Sequence, residues 1–292
     1  MALVEVYRSY RRVDCDDRAL VLAAVGVASE LVWLGDSFAL LVPEESVITA
    51  ATHLKDYGEE SVSREPKPAP MRVHPDAWLG SAGFAVVLLI VAYCAAGGLL
   101  GVDWFFSGEL VPGLLRSGEL WRVVTALTLH VDSGHLVTNI GFGVLFGYLA
   151  GQLLGPGIAW ASILAAGAVG NLFDALLMPA THRVIGASTA VFAALGLLGA
   201  YSWRRRSTPS ARWPYRWAPL IAAVALLTLI GVGGEHTDVL AHLTGFFAGT
   251  MLGAVYGSFS VPRSDRALPQ LLAGAATLAI IVGAWAWALI HA

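Results

Sequence analysis

The sequence predicts an all-α polytopic membrane protein preceded by a small α+β soluble domain. Three observations lead there. Of 292 residues, 57% are hydrophobic and only 13% charged, and mean hydropathy is +0.67. Uncharged runs repeatedly reach the roughly 20 apolar residues that a hydrocarbon core requires. The first 62 residues lack such runs and instead alternate short strand-like and amphipathic helical segments.

In that first segment, "VEVYRS" reads as a strand and "DDRALVLAAVGV" as an amphipathic helix with an acidic first turn. "SELVWLG" and "SFALLVPE" read as strands joined at Gly35-Asp36, a hairpin signal, and "ESVITAATHLKDYGEE" closes with a second helix. The order is βαββα. Residues 63–76, rich in proline and charge, read as a linker. Met1–Asp17 lacks the apolar stretch of a signal peptide. Cys15 and Cys94 fall in regions of very different character, so no disulfide framework is expected.

Uncharged runs then follow at Ala77–Val102, Gly134–Phe173, Val184–Trp203, Trp217–Gly234, Val239–Val261 and Ala267–Ala292. The second is too long for one span and breaks at Gly155-Pro156-Gly157, which makes seven helices. Residues 77–260 hold six of them, and 261–292 hold the seventh. Basic residues set the orientation. With the N-terminal domain in the cytoplasm, only Arg116, Arg122 and Arg183 of the 18 Lys and Arg lie outside. The C-terminus is then outside.

Helices two, four and six all start at the outer face, and each carries polar residues near its start. Helix two has His135 and Asn139, helix four has Ser188, and helix six has His242. At about 1.5 Å of rise per residue, Ser188 and His242 lie roughly one turn inside the boundary. Singly, each has a plainer account: Ser188 as a small packing residue, Asn139 as interhelical glue, His242 as an interfacial imidazole. Jointly they point to chemistry, because polar groups at depth are costly. His135 and Asn139 are four apart and share a face. His242, Gly245 and Gly249 share a face of helix six, while Ser188, Phe192, Leu195 and Gly199 share one of helix four. Close approach of these helices would let His242 take the Ser188 proton.

"ELWRVVTALTLHVDSGHLVTN", "GASTAVFAALG" and "AHLTGFFAG" resemble the three signatures of rhomboid intramembrane serine proteases, in the family's order and on helices two, four and six. The resemblance covers residues 77–260 as a six-helix rhomboid-like core, with the seventh helix as a C-terminal addition. It implies a serine endopeptidase acting on transmembrane segments of membrane proteins near the outer face. Ser188 would be the nucleophile and His242 the general base. His135, Asn139 and the Ser188 backbone amide would form the oxyanion hole, with His130 as the further histidine of the helix-two motif. Gly186, Gly245 and Gly249 belong to the matching signatures. Phe192 would pack on the imidazole, and Glu119, Trp121 and Arg122 would anchor the first outer loop. One departure stands out: Thr189 follows Ser188 where the family usually has glycine, which would crowd the site or narrow a side-chain cavity.

Asp238, four residues before His242, has two readings: a third triad member, or an N-cap for helix six, the commoner role. Asp174 reads as interfacial, and helix five, ending in "GVGGEHTD", as a lateral gate for substrate. No histidine has cysteine or carboxylate partners at metal-ligand spacing, so neither metal nor cofactor is expected. Partners are then transmembrane substrates and lipids of a bacterial plasma membrane. The net charge of −3 gives no basis for a nucleic-acid partner, and the oligomeric state stays open. A non-proteolytic rhomboid-like binding or quality-control factor is the alternative, and it expects the serine or histidine to be missing. A transporter would continue the polar residues across the membrane, whereas here they cluster on one side.

Overall fold

The computed structural model describes residues 2–63, 73–206, 212–231, 238–258 and 267–291. Most of the expected linker, and residues 232–237 of the expected gate, lie outside the described residues. The chain folds as two compact units, Met1–Met71 and Arg72–Ala292.

The first unit is the α+β domain that the sequence predicts. Its elements are β1 (Leu3–Ser9), α1 (Arg12–Ala24), β2 (Glu30–Trp33), β3 (Phe38–Pro43) and α2 (Val47–Ser63). The antiparallel sheet has the order β1-β3-β2. The most apolar strand, β3, takes the middle and buries Ala39, Leu40 and Val42. Leu22 of α1 and Ala50 and Leu54 of α2 close over it. Cys15 is buried here, and both cysteines are free.

The second unit starts with α3 (Trp78–Ala96), shorter than the apolar run because Gly97-Gly98 ends it, Gly98 having φ +53°. Residues 99–129 hold three short helices: α4 (Trp104–Gly108), α5 (Pro112–Arg116) and α6 (Arg122–Thr125). The long helices follow: α7 (Ser133–Leu154), α8 (Pro156–Leu177), α9 (Ser188–Arg206), α10 (Trp213–Gly231), α11 (Val239–Ser258) and α12 (Ala267–Ile290). Thus α3 and α7 to α12 are the predicted helices one to seven. Gly155-Pro156 separates α7 from α8, with proline at the first turn where its missing N–H costs nothing. Among the described residues, six helices (α3, α7, α8, α10, α11 and α12) are long and apolar enough to cross a membrane. The 19-residue α9 ends in Arg204–Arg206 and is the most enclosed, buried continuously from Thr189 to Leu197.

Its enclosure explains why α9 is apolar all round rather than striped. The tightest neighbour is α11. A Cβ on Gly245, Gly249 or Gly253 would strike the carbonyl of Thr189, Ala193 or Leu197 respectively. Three glycines spaced by four thus meet three carbonyls spaced by four, the close backbone approach that small residues allow between membrane helices. The face of α9 turned to α11 therefore runs through Thr189, Ala193 and Leu197. Gly199, expected on the helix-six side, instead meets Ala223 of α10.

The seventh helix is fastened at both ends. Gln270 donates to the Leu154 carbonyl at 2.9 Å and accepts from the Ile158 amide at 3.0 Å, satisfying groups at the α7–α8 break. Near its other end, Trp285 Nε1 donates to Thr128 Oγ1 at 3.0 Å, and its ring lies 4.6 Å from that of Trp104.

Candidate active site

The start of α9 is held by its surroundings before any side chain of the site is considered. Leu110 and Val184 exchange backbone hydrogen bonds of 3.0 Å, and the Gly186 amide donates to the Ala126 carbonyl at 2.9 Å. The Val191 amide donates to the Ala187 carbonyl at 2.9 Å, so the helix begins there and Ser188 occupies its first turn. Amides in that turn have no partner within the helix and favour negative charge. Ser188 is half-buried, between buried Ala187 and Thr189.

Gly186 shows how closely the neighbours converge. Its φ is +127°, and a Cβ there would come 2.7 Å from His135 Cε1, 2.8 Å from His135 Nε2 and 3.6 Å from Ser188 Oγ. The His135 ring and the Ser188 hydroxyl therefore border one small space. Helix α7 delivers His135 there because Asp132 caps it, accepting from the His135 amide at 2.8 Å. Asn139, one turn on, is buried and donates through Nδ2 to the His135 carbonyl at 3.0 Å. An amide nitrogen has two hydrogens, so one donor remains. His130 packs edge-on against His135 with ring centroids 5.0 Å apart. Burial pushes its imidazole down to about 4, so it is neutral at neutral pH. It can then accept from the Ala187 amide through Nε2, at 3.4 Å.

His242 arrives from α11 and is buried. Its ring lies 4.4 Å from that of Phe192, one turn after Ser188. Nδ1 is 2.8 Å from the Gly231 carbonyl oxygen at the end of α10. A carbonyl only accepts, so Nδ1 carries the proton and Nε2 of the neutral ring keeps a lone pair. No hydrogen bond joins the Ser188 hydroxyl to His242 among the described residues; such contacts commonly tighten only with substrate bound.

Asp238 takes the capping role. One oxygen accepts from the Ala241 amide at 2.9 Å, and the other meets His182 Nε2 at 2.6 Å. The position next to His242 Nδ1 belongs to Gly231 instead. Asp174 lies in the last turn of α8 and is fully buried against the protein.

Arg122 organises residues 99–129. Only 3% exposed, it pairs with Glu119 at 2.6 Å and donates to the carbonyls of Phe106 at 2.9 Å and Glu109 at 2.6 Å. Trp121 Nε1 donates to the Ser107 carbonyl at 3.2 Å. The Glu109 side chain meets Arg183 at 2.8 Å, although burial still holds its carboxyl above the usual range. Sequence reasoning missed Asn171, buried in α8, whose Nδ2 donates to the Val123 carbonyl at 3.0 Å. It also missed Glu109 and His182, since nothing in their local sequence marks a tertiary partner.

The Rhomboid domain family matches residues 117–259, which span every residue of this site from Glu119 to Gly249. The chain is 27% identical over 151 residues to "Rhomboid-like protease 2" of Toxoplasma gondii, covering 50% of this chain and 51% of that one. It is 26% identical over 176 residues to "Rhomboid protease GluP" of Bacillus subtilis (strain 168), covering 60% and 33%. To "Rhomboid-like protein 11, chloroplastic" of Arabidopsis thaliana it is 30% identical over 182 residues, covering 58% and 65%. The chain spans about half the length of the Toxoplasma relatives it matches. A matching domain and, among the described residues, six helices long and apolar enough to cross a membrane lead to one conclusion: the chain, an integral multi-pass membrane protein, belongs to the rhomboid family.

Proposed function

We propose that this chain is an intramembrane serine endopeptidase using Ser188 and His242. The observation that carries the reading is the bond between His242 Nδ1 and the Gly231 carbonyl. It fixes the tautomer in which Nε2 is the basic nitrogen, the task that a carboxylate performs in a catalytic triad. Relatives named as rhomboid proteases support the same reading.

In this mechanism Ser188 Oγ attacks the scissile carbonyl carbon while His242 Nε2 takes its proton. The oxyanion receives hydrogen bonds from the Ser188 amide, His135 and the spare hydrogen of Asn139, donors worth about 3 kcal/mol each in soluble proteases. The C–N bond then breaks, and His242 returns the proton to the leaving amine. Water, deprotonated by the same nitrogen, hydrolyses the acyl-enzyme. His130 stays neutral and holds the Ala187 amide, which fixes the turn before the nucleophile.

Substrates are transmembrane segments cut near the outer face, with the N-terminal unit in the cytoplasm of a bacterial cell. The basic-residue asymmetry supports that orientation. The test compares wild type with Ser188→Ala and His242→Ala on a single-span reporter in liposomes. Both variants should fold and lose cleavage; cleavage that survives either one would overturn the dyad.

A further inference from the structure

Asp174, His182 and Asp238 form a second polar cluster, beside the candidate active site and outside its chemistry. One ligand-capable atom from each lies within 4.8 Å of the others. Asp174 comes from the last turn of α8, His182 from the segment leading to α9, and Asp238 from the cap of α11. Asp174 is 0% exposed, and among the described residues neither of its carboxylate oxygens has a hydrogen-bond partner. A bare buried carboxylate beside a second carboxylate is costly, and a cation is one of the few groups that offsets both charges.

We propose that these three residues bind one divalent transition-metal cation of the Zn²⁺ type. The donor set is one imidazole nitrogen and two carboxylate oxygens, which suits Zn²⁺ better than the all-oxygen preference of Ca²⁺ or Mg²⁺. Two negative charges and a neutral imidazole balance a divalent charge. Zinc–ligand bonds of about 2.0–2.1 Å in a tetrahedral site set ligand atoms about 3.3 Å apart. The cluster reaches that by moving Asp174 inward and parting the 2.6 Å contact between His182 and Asp238. A water completes the coordination. The His182 and Asp238 side chains are 31% and 17% exposed, which leaves an entry path for the ion.

The bound ion would join three elements that meet at one end of the bundle. His182 precedes Ser188 by six residues and Asp238 precedes His242 by four, so the ion would tie together the segments that position both. The inference is independent of the proteolytic reading, because it rests on binding alone.

The test uses the full chain, tag-free in detergent, stripped with a chelator and equilibrated with micromolar Zn²⁺. Metal analysis should find one tightly held Zn²⁺ per chain in wild type, with a raised Tm. Asp174→Asn keeps the shape but removes the charge, and His182→Gln changes a part-exposed side chain; each should weaken binding at least tenfold. Far-ultraviolet circular dichroism of the metal-free variants should match wild type. The zinc X-ray absorption spectrum of wild type, which needs no variant, should show one imidazole among oxygen ligands. No bound Zn²⁺ in wild type, equal binding by Asp174→Asn and His182→Gln, or a sulfur ligand in that spectrum would overturn the proposal.

Discussion

The Thr189 methyl group fills the space that Gly170 leaves open: a Cβ on Gly170 would come 2.8 Å from Thr189 Cγ2. The same Cβ would come 2.7 Å from Gly245 Cα, so α8, α9 and α11 meet at this point. Thr189 thus faces a helix junction and is 1% exposed. Gly170→Ala should lower stability by about 1–3 kcal/mol through overpacking, read as a fall in Tm. Thr189→Gly should also lower Tm while changing reporter turnover by less than about threefold. A large gain in turnover would return Thr189 to the substrate path.

Gly186 should tolerate no side chain. Its φ of +127° strains any L-residue, and the added Cβ would displace the His135 ring. Gly186→Ala should cost about 1–3 kcal/mol of stability. His135 being an oxyanion donor in the proposed mechanism, its displacement should also reduce turnover about 10²-fold. Gly141→Ala, whose Cβ would meet nothing within 4 Å, serves as the control and should change neither.

Arg122 is a buried cation with a carboxylate and two carbonyls around it. Arg122→Ala leaves all of these unpaired and should cost about 3–5 kcal/mol. Arg122→Lys should rescue little, because an ammonium cannot reproduce the planar fork. Limited proteolysis is the direct measurement, with new cleavage expected in residues 99–129 for both variants.

Acid should loosen the turn before Ser188. His130 titrates at about 4 in the folded chain, against 6.5 for a free imidazole. Between those values the unfolded chain binds more protons, so this contribution is full above about pH 6.5 and falls as pH drops towards 4. It amounts to at most about 3 kcal/mol. His130→Gln should flatten the dependence of Tm on pH over that range relative to wild type. Parallel curves would show that His130 does not carry it.

The sequence makes the long helices legible because their apolar runs match a physical length, and it marks Ser188, His242, His135 and Asn139 as candidates because each is a polar residue near the start of an apolar helix. Other features depend on contacts that no local pattern encodes. Gly199 shares a phase with Ser188, but α9 has neighbours on every side, so phase alone cannot say that Gly199 meets α10. Asp174, His182 and Asp238 converge from three elements, the last two 56 positions apart in sequence. Residues 99–129 have no periodicity at all, and their short helices depend on side-chain bonds such as those of Arg122. Asp238 was readable as a cap from position, whereas its second partner, His182, was not.

The two attachments of α12 also bear on biogenesis. Chains emerge from the ribosome N-terminus first, so α7, α8 and residues 99–129 are made before Gln270 and Trp285 exist. Until then the Leu154 carbonyl, the Ile158 amide and the Thr128 hydroxyl lack the partners they have in the finished protein. Helix α12 is therefore made after the helices it completes, and the final packing of the α7–α8 break and of residues 99–129 waits on its synthesis.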